Sequence, residues 1–287
     1  GELQERFGIQ ISPVPLSEVV AKAKTLMDAP TAEVTDTVEY VKQNMDVCVT
    51  EEGVLKVAAL KTAMKHFAQE LKCNAIAIQC WSALQAEFGM MPCAGNALLT
   101  DEGIPVACET DIHGAITSVI AQAAAMGRTA PFFADWTVRH TGNDNGELLQ
   151  HCGPYPLSLC KAGTKAKLGS PFALPGGKPG AVLSEIKGGE LTILRFDGDN
   201  GKYSLLAGNA KGIDGPYIWG TYLWIEVKDW LKLEKKLVEG PYVHHCVGIH
   251  GDVLPVVHEA CKYIEGLDID LYDDDAQDKI DNYLLGR

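Results

Sequence analysis

Apolar positions in the first part of the chain follow two periods in turn. Over residues 54–71, Val54, Val57, Ala58, Leu60, Ala63, Met64 and Phe67 recur at helical spacing, and the run 74–79 that follows has the length and composition of a buried strand. The strand signal returns at 104–108, an apolar helix over 112–126 stops at Gly127, and 130–134 reads as the next strand. Strands alternating with helices imply a parallel sheet with right-handed crossovers. After residue 128 the rhythm changes. Residues 163–180 are rich in Gly, Pro and Lys, a loop or linker signal, and short alternating runs follow at 181–186, 191–196 and 203–207. The sequences between these runs, Lys187-Gly188-Gly189 and Asp197-Gly198-Asp199-Asn200-Gly201, suit hairpin turns. A helix at 227–238, a strand at 242–249 and a helix at 253–264 complete the pattern, and no internal repeat is present. The expected fold class is α/β: a Rossmann-like parallel α/β domain over 1–127, then a C-terminal domain over 128–287 rich in antiparallel, barrel-like β structure with flanking helices.

Length and charge narrow the function. A chain of 287 residues can bury a core divided between about two domains. The net charge of −13 argues against nucleic-acid binding, because neutralising phosphates requires clustered Lys and Arg. The longest apolar stretch, 115–126, is interrupted by Thr117, Ser118 and Gln122 and falls short of the ~18 apolar residues that cross a bilayer, so no membrane partner is expected. The first residues, Gly1 to Arg6, do not resemble a secretion signal, and the nine cysteines, odd in number and without a C-x-x-C pair, read as buried thiols of a reducing compartment. The cytoplasm is the expected location. The acidic run 268–278 reads as solvated surface, since it lacks the glycine and terminal glutamate of an EF-hand.

Phosphate-loop, dinucleotide, serine-esterase and zincin motifs are absent. What remains is polar residues at strand ends. Glu109 follows the strand 104–108 and Asp135 the strand 130–134, and ligands of open parallel sheets bind outside the carboxyl ends of strands. Asp111, just before an apolar helix, reads as its N-cap. His244 and His245 are adjacent on a strand and so point to opposite faces, which lets one of them serve a given site without saying which. His151 lies in a loop-rich segment and His250 in a turn before the last helix. Two carboxylates with one or two imidazoles form a mixed O/N donor set suited to Mn²⁺, Mg²⁺ or Co²⁺. Trp81, Trp136 and Trp219 have faces on which a sugar could stack, but core packing is the commoner role for any one of them.

At these residues the chain resembles the L-fucose and L-arabinose isomerases. The segment 106–115 is similar to the one in which a catalytic Glu follows a strand, Phe132-Phe133-Ala134-Asp135-Trp136 resembles the fucose isomerase segment whose Asp binds metal, and Tyr242-Val243-His244-His245 resembles the late pair whose final His is a ligand. The resemblance implies Glu109 and Asp135 as catalytic acid-base groups and, with His245, as the ligands of a divalent metal, most simply Mn²⁺. It implies His151, in Gln150-His151-Cys152-Gly153-Pro154, as a further active-site residue. The implied reaction is the interconversion of an aldose and a ketose through an enediol, on a small sugar of the fucose or arabinose type. The full-length protein would be a trimer or hexamer with an additional N-terminal α/β domain that has no counterpart in this chain. Two alternatives stand beside this reading: a non-catalytic sugar-binding or assembly fragment, and a metal-dependent hydrolase or lyase using the same carboxylates.

Overall fold

Helices dominate the first 127 residues: α1 (Glu2–Phe7), α2 (Leu16–Asp28), α3 (Ala32–Asn44), α4 (Glu51–Glu70), α5 (Ala83–Phe88), α6 (Cys93–Asp101) and α7 (Ile112–Ala124), with β1 (Asp46–Val47), β2 (Ile76–Ala77) and β3 (Val106–Ala107) between them. Strands then take over: β4 (Phe132–Arg139), β5 (Gly146–His151), β6 (Lys167–Gly169), β7 (Ala181–Glu185), β8 (Gly189–Asp199), β9 (Lys202–Ile213) and β10 (Thr221–Glu226). The chain closes with α8 (Trp230–Glu239), β11 (His245–His250), α9 (Leu254–Cys261), β12 (Leu267–Leu271) and α10 (Ala276–Leu284). This computed structural model describes residues 1–171, 178–273 and 276–286. Among them, no helix is long and apolar enough to cross a membrane.

Helix α4 shows how the sequence forms these elements. The Thr50 hydroxyl accepts the Gly53 N–H at 3.1 Å, Glu51 and Glu52 face the positive end of the helix, and the apolar stripe from Val54 to Met64 is fully buried. That stripe packs on α2, α3 and α6 to make the first core. Lys61 is buried within it and reaches Glu102 at 2.5 Å.

In the second half, β10, β5, β4, β11, β8 and β9 pair in that order, every pairing antiparallel, and β9 returns to pair with β10 at Trp224↔Ile213. The result is a closed six-stranded barrel, to which β7 and β12 add in parallel. Alternation along each strand separates two cores. Cys246 joins Phe132, Ala134, Leu149, Ile193 and Leu223 in one, while Val247 and Ile249 join Phe133 and Leu194 under α7 and α9 in the other. The β8–β9 hairpin turns on Asn200 and Gly201, both at positive φ (47° and 81°), the backbone that a two-residue turn with matching twist requires.

The α/β class holds, with differences in detail. The parallel sheet of the first half is a single pairing of two-residue strands, Ile76↔Val106 and Ala77↔Ala107, because β2 and β3 are so short that helices supply most of the packing. The run 130–134 extends to Arg139 and belongs to the barrel instead, antiparallel to both β5 and β11. The sequence Lys187-Gly188-Gly189 is not a hairpin: β7 pairs with β6 and β10, and Gly188 crosses so close to Gly212 that a Cβ on the latter would meet the Gly188 Cα at 2.5 Å. Within the expected linker 163–180, Lys167–Gly169 forms β6, and 172–177 lie outside the described residues. The acidic run is only partly surface. Asp268 to Leu271 continue β12, Asp273 is buried, and 274–275 lie outside the described residues.

Candidate active site

Strands β2 and β3 run side by side and end together, and the residues just beyond them meet. Trp81 follows β2 and Glu109 follows β3, and the Trp81 indole N–H donates to Glu109 Oε1 at 2.7 Å. The turn that presents Glu109 is strained. Glu109 and Thr110 both adopt left-handed backbone, φ 61° and 58°, at about 1–3 kcal/mol for each such non-glycine residue. It is held by the Thr110 N–H on the Ile78 carbonyl and the Asp111 N–H on the Cys108 carbonyl, both at 3.0 Å. Helix α7 starts at once, its first turn capped by Asp111, which accepts the Gly114 N–H at 2.8 Å. Gly114 lets that turn lie against the barrel, since a Cβ there would sit 2.4 Å from the Phe133 ring.

The barrel supplies the facing groups. His245 opens β11 directly across from Asp135 on β4, and His151 is the last residue of β5. His245 Nε2 lies 3.5 Å from Asp135 Oδ1 and 3.6 Å from Glu109 Oε2, and His151 Nε2 lies 3.8 Å from Asp135 Oδ1. All four sequence-derived positions, Glu109, Asp135, His151 and His245, therefore come together. His151 does so from a strand end, where the sequence pattern predicts a loop, because Leu148 and Leu149 carry β5 through the barrel wall. The expectation that His244 and His245 point to opposite faces fails for a local reason. Strand β11 begins only at His245, so His244 escapes the alternation and its Nε2 also lies 3.8 Å from Asp135 Oδ1, with a side chain 60% exposed. His250 is elsewhere, its Nε2 on the Lys187 carbonyl at 2.9 Å. Trp136 packs on Trp230 and Trp219 reaches Ser170.

Sequence reasoning missed the support beneath these groups. Besides capping α7, Asp111 takes His245 Nδ1 at 2.8 Å and both terminal nitrogens of Arg195, a guanidinium that is 2% exposed and also bonds Asp197 Oδ2 at 2.9 Å. Asp197 in turn holds His113 Nδ1 at 2.8 Å. Burial works to raise the Asp111 pKa, but the His245 and Arg195 hydrogen bonds outweigh it and hold the carboxyl well below the usual range. Asp197 is lowered likewise, the bonds from His113 and Arg195 overcoming its burial.

The donor set fits a divalent cation. Asp135 Oδ1, His151 Nε2 and His245 Nε2 are buried and have no hydrogen-bond partner, an arrangement that costs energy unless something else satisfies these atoms. Oxygen and nitrogen atoms bound to one ion at about 2.1 Å stand roughly 3–4 Å apart, matching the spacings here. Two overlapping groups bring their ligand atoms within 4.8 Å of one another, Glu109 with His151 and His245, and Asp135 with His244 and His245. The Asp111–His245 contact is the carboxylate–imidazole pairing that fixes a metal-binding histidine's tautomer and direction.

No family model matches the chain. It is similar to curated proteins named sulfoquinovose isomerase: 30% identical over 263 residues to that of Alkalicoccus urumqiensis, covering 90% of this chain and 58% of the relative. The Priestia aryabhattai protein is 30% identical over 260 residues, 88% of this chain and 56% of its own length. That of a Clostridium species is 24% identical over 257 residues, with 88% and 56% covered. The chain thus spans little more than half the length of the curated relatives it matches.

Proposed function

We propose that this chain carries the active site of a sugar isomerase that interconverts an aldose and a ketose, with Glu109, Asp135 and His245 holding a divalent cation, most simply Mn²⁺. The observation that carries the reading is the pair of buried, unpartnered atoms Asp135 Oδ1 and His245 Nε2, 3.5 Å apart, with Glu109 Oε2 3.6 Å from the same nitrogen. The relatives' name supports a sugar isomerase and favours sulfoquinovose over the L-fucose or L-arabinose that the motif resemblance implies.

Aldose–ketose isomerisation moves a proton between C1 and C2 while the carbonyl and hydroxyl oxygens exchange roles. When bound, the cation supplies Lewis acidity to those oxygens. Glu109 and Asp135 do the proton work: one carboxylate accepts the proton from carbon and returns it to the neighbouring carbon by way of an enediol. Trp81 anchors Glu109 through Oε1, which keeps Oε2 directed at His245. Asp111 keeps the His245 ring in place, and Arg195 keeps Asp111 ionised. The resemblance further supports a homo-oligomer, which light scattering would test.

The test is conversion of sulfoquinovose, L-fucose and L-arabinose, with added Mn²⁺, by a protein of the relatives' full length, followed by NMR. A ketose product of unchanged mass is expected for one of these sugars, and Glu109→Gln abolishes it. Full activity in Glu109→Gln removes that residue from the mechanism, and a product of altered mass rejects the isomerase reading.

A further inference from the structure

The two buried imidazoles of the site present opposite edges to it. His245 Nδ1 lies 2.8 Å from Asp111 Oδ2, and an ionised carboxylate only accepts, so Nδ1 carries the ring proton and Nε2 turns a lone pair towards Glu109 and Asp135. His151 is the reverse. Its Nδ1 accepts the main-chain N–H of Cys152 at 3.0 Å, with the Cys152 Sγ at 3.3 Å. A peptide N–H is a donor at every pH, so Nδ1 must offer a lone pair and the single N–H of the neutral ring sits on Nε2.

The surroundings hold that arrangement. Cys152 Sγ, which lies against Nδ1, is itself held 3.6 Å from Cys93 Sγ. On the other edge, Nε2 is buried without a partner, on a residue only 3% exposed, and it faces Asp135 Oδ1 from 3.8 Å, beyond hydrogen-bond reach.

We propose that His151 is not a metal ligand but a hydrogen-bond donor, whose Nε2–H binds an oxygen of the sugar at the reacting carbons. To become a ligand, the ring would have to move its proton to Nδ1, where it would point at the Cys152 N–H and leave that part-buried amide unpaired. As a donor it needs no rearrangement. Its hydrogen bond strengthens as charge gathers on the sugar oxygen while a carboxylate takes the proton from carbon, and no proton leaves His151. The division of labour is then set by what sits behind each ring: a carboxylate behind His245 makes a ligand, and a peptide N–H behind His151 makes a donor. The role rests on the proposed isomerase function; the tautomer does not.

The first test is long-range ¹⁵N–¹H NMR of the metal-free wild-type chain, which reads which nitrogen of each histidine is protonated. Nε2 is expected for His151 and Nδ1 for His245; protonation of His151 on Nδ1 overturns the proposal. The second is Mn²⁺ calorimetry, in which His151→Ala changes Kd by less than about threefold while His245→Ala loses binding. Lost Mn²⁺ binding in His151→Ala makes it a ligand and also overturns the proposal. In a protein of the relatives' full length, His151→Ala lowers kcat about 10²-fold with Mn²⁺ retained, and His151→Gln, whose amide N–H₂ reaches the position of the ring Nε2–H, restores part of it. Unchanged kcat in His151→Ala rejects the donor role. Failure of every sugar to react would reject the isomerase reading, while the NMR and calorimetry would still decide the tautomer and the ligand question.

Discussion

Replacing Asp111 with Asn isolates the charge that supports the site, because the two side chains have nearly the same shape. The carbonyl oxygen of the introduced amide can still accept the Gly114 N–H that caps α7, so the helix loses little. What disappears is the negative charge that meets two nitrogens of Arg195 and His245 Nδ1. Arg195 is 2% exposed, so it cannot turn to water and is left with Asp197 alone. Removing one partner of a buried ion pair costs about 3–5 kcal/mol, and the remaining bonds to Asp197 place this case near the lower end of that range. At His245, the amide N–H₂ now faces a ring N–H, so the imidazole either rotates or shifts its proton. Loss of such a supporting carboxylate costs roughly 10–100-fold in metal affinity. Urea unfolding of the metal-free protein measures the first quantity and Mn²⁺ calorimetry the second. Asp111→Ala should lose about 1 kcal/mol more than Asp111→Asn, the worth of the cap. Unfolding within about 0.5 kcal/mol of wild type, together with an unchanged Mn²⁺ Kd, would refute the argument, since it would mean that the buried network contributes neither stability nor alignment.

Three other perturbations separate the contributions of neighbouring features. Trp81→Phe removes the N–H on Glu109 Oε1 from a side chain that is 40% exposed, so Mn²⁺ binding should weaken roughly tenfold with the melting temperature nearly unchanged, both read on one sample by calorimetry. Gly248→Ala places a Cβ 2.1 Å from the Phe132 ring inside the barrel, and this overpacking should cost about 1–3 kcal/mol in urea unfolding; a neutral result would mean that the ring has room to move. Glu147 is 2% exposed, and its burial, against the opposing main-chain N–H of Thr137, pushes its pKa from 4.5 up to about 7. A raised carboxyl pKa gives stability that is present below about pH 4.5 and lost as pH rises through 7, up to about 3 kcal/mol at ~1.4 kcal/mol per unit. Glu147→Gln should therefore gain on wild type at pH 8 and not at pH 4, and parallel urea midpoints at the two values would reject the assignment.

Much of the site is legible in the sequence because strand ends are legible. Glu109 and Asp135 are located by the rule that ligands gather beyond the carboxyl ends of strands, and the same rule applied to 74–79 reaches Trp81, to which residue type alone gives no role. Asp135 is reached for a partly wrong reason. Its strand is not the next parallel one but an antiparallel barrel strand that continues past it to Arg139, and it meets Glu109 only through the register with His245. The second role of Asp111 leaves no sequence signal, because a capping aspartate looks the same whether or not an arginine 84 residues away is folded against it. The choice between His244 and His245 needs the point where β11 starts, and element boundaries are set by pairing partners that local sequence does not contain. Barrel closure between β9 and β10 is equally silent, since it depends on twist accumulated over six strands.

The strand order of the barrel also sets a timetable for synthesis. Strand β11 lies between β4 and β8, yet it leaves the ribosome after both of them and after β9 and β10. Asp135 and His151 are therefore made about a hundred residues before the imidazole that completes their cluster, and the loop that must close to bring it back is long and slow to search. Until then the barrel has an open seam between β4 and β8, two unpaired edges that a growing chain has to shield. Insertion of β11 seals the seam and delivers His245 in the same event, so the cluster of Asp135, His151 and His245 is completed only when the barrel is.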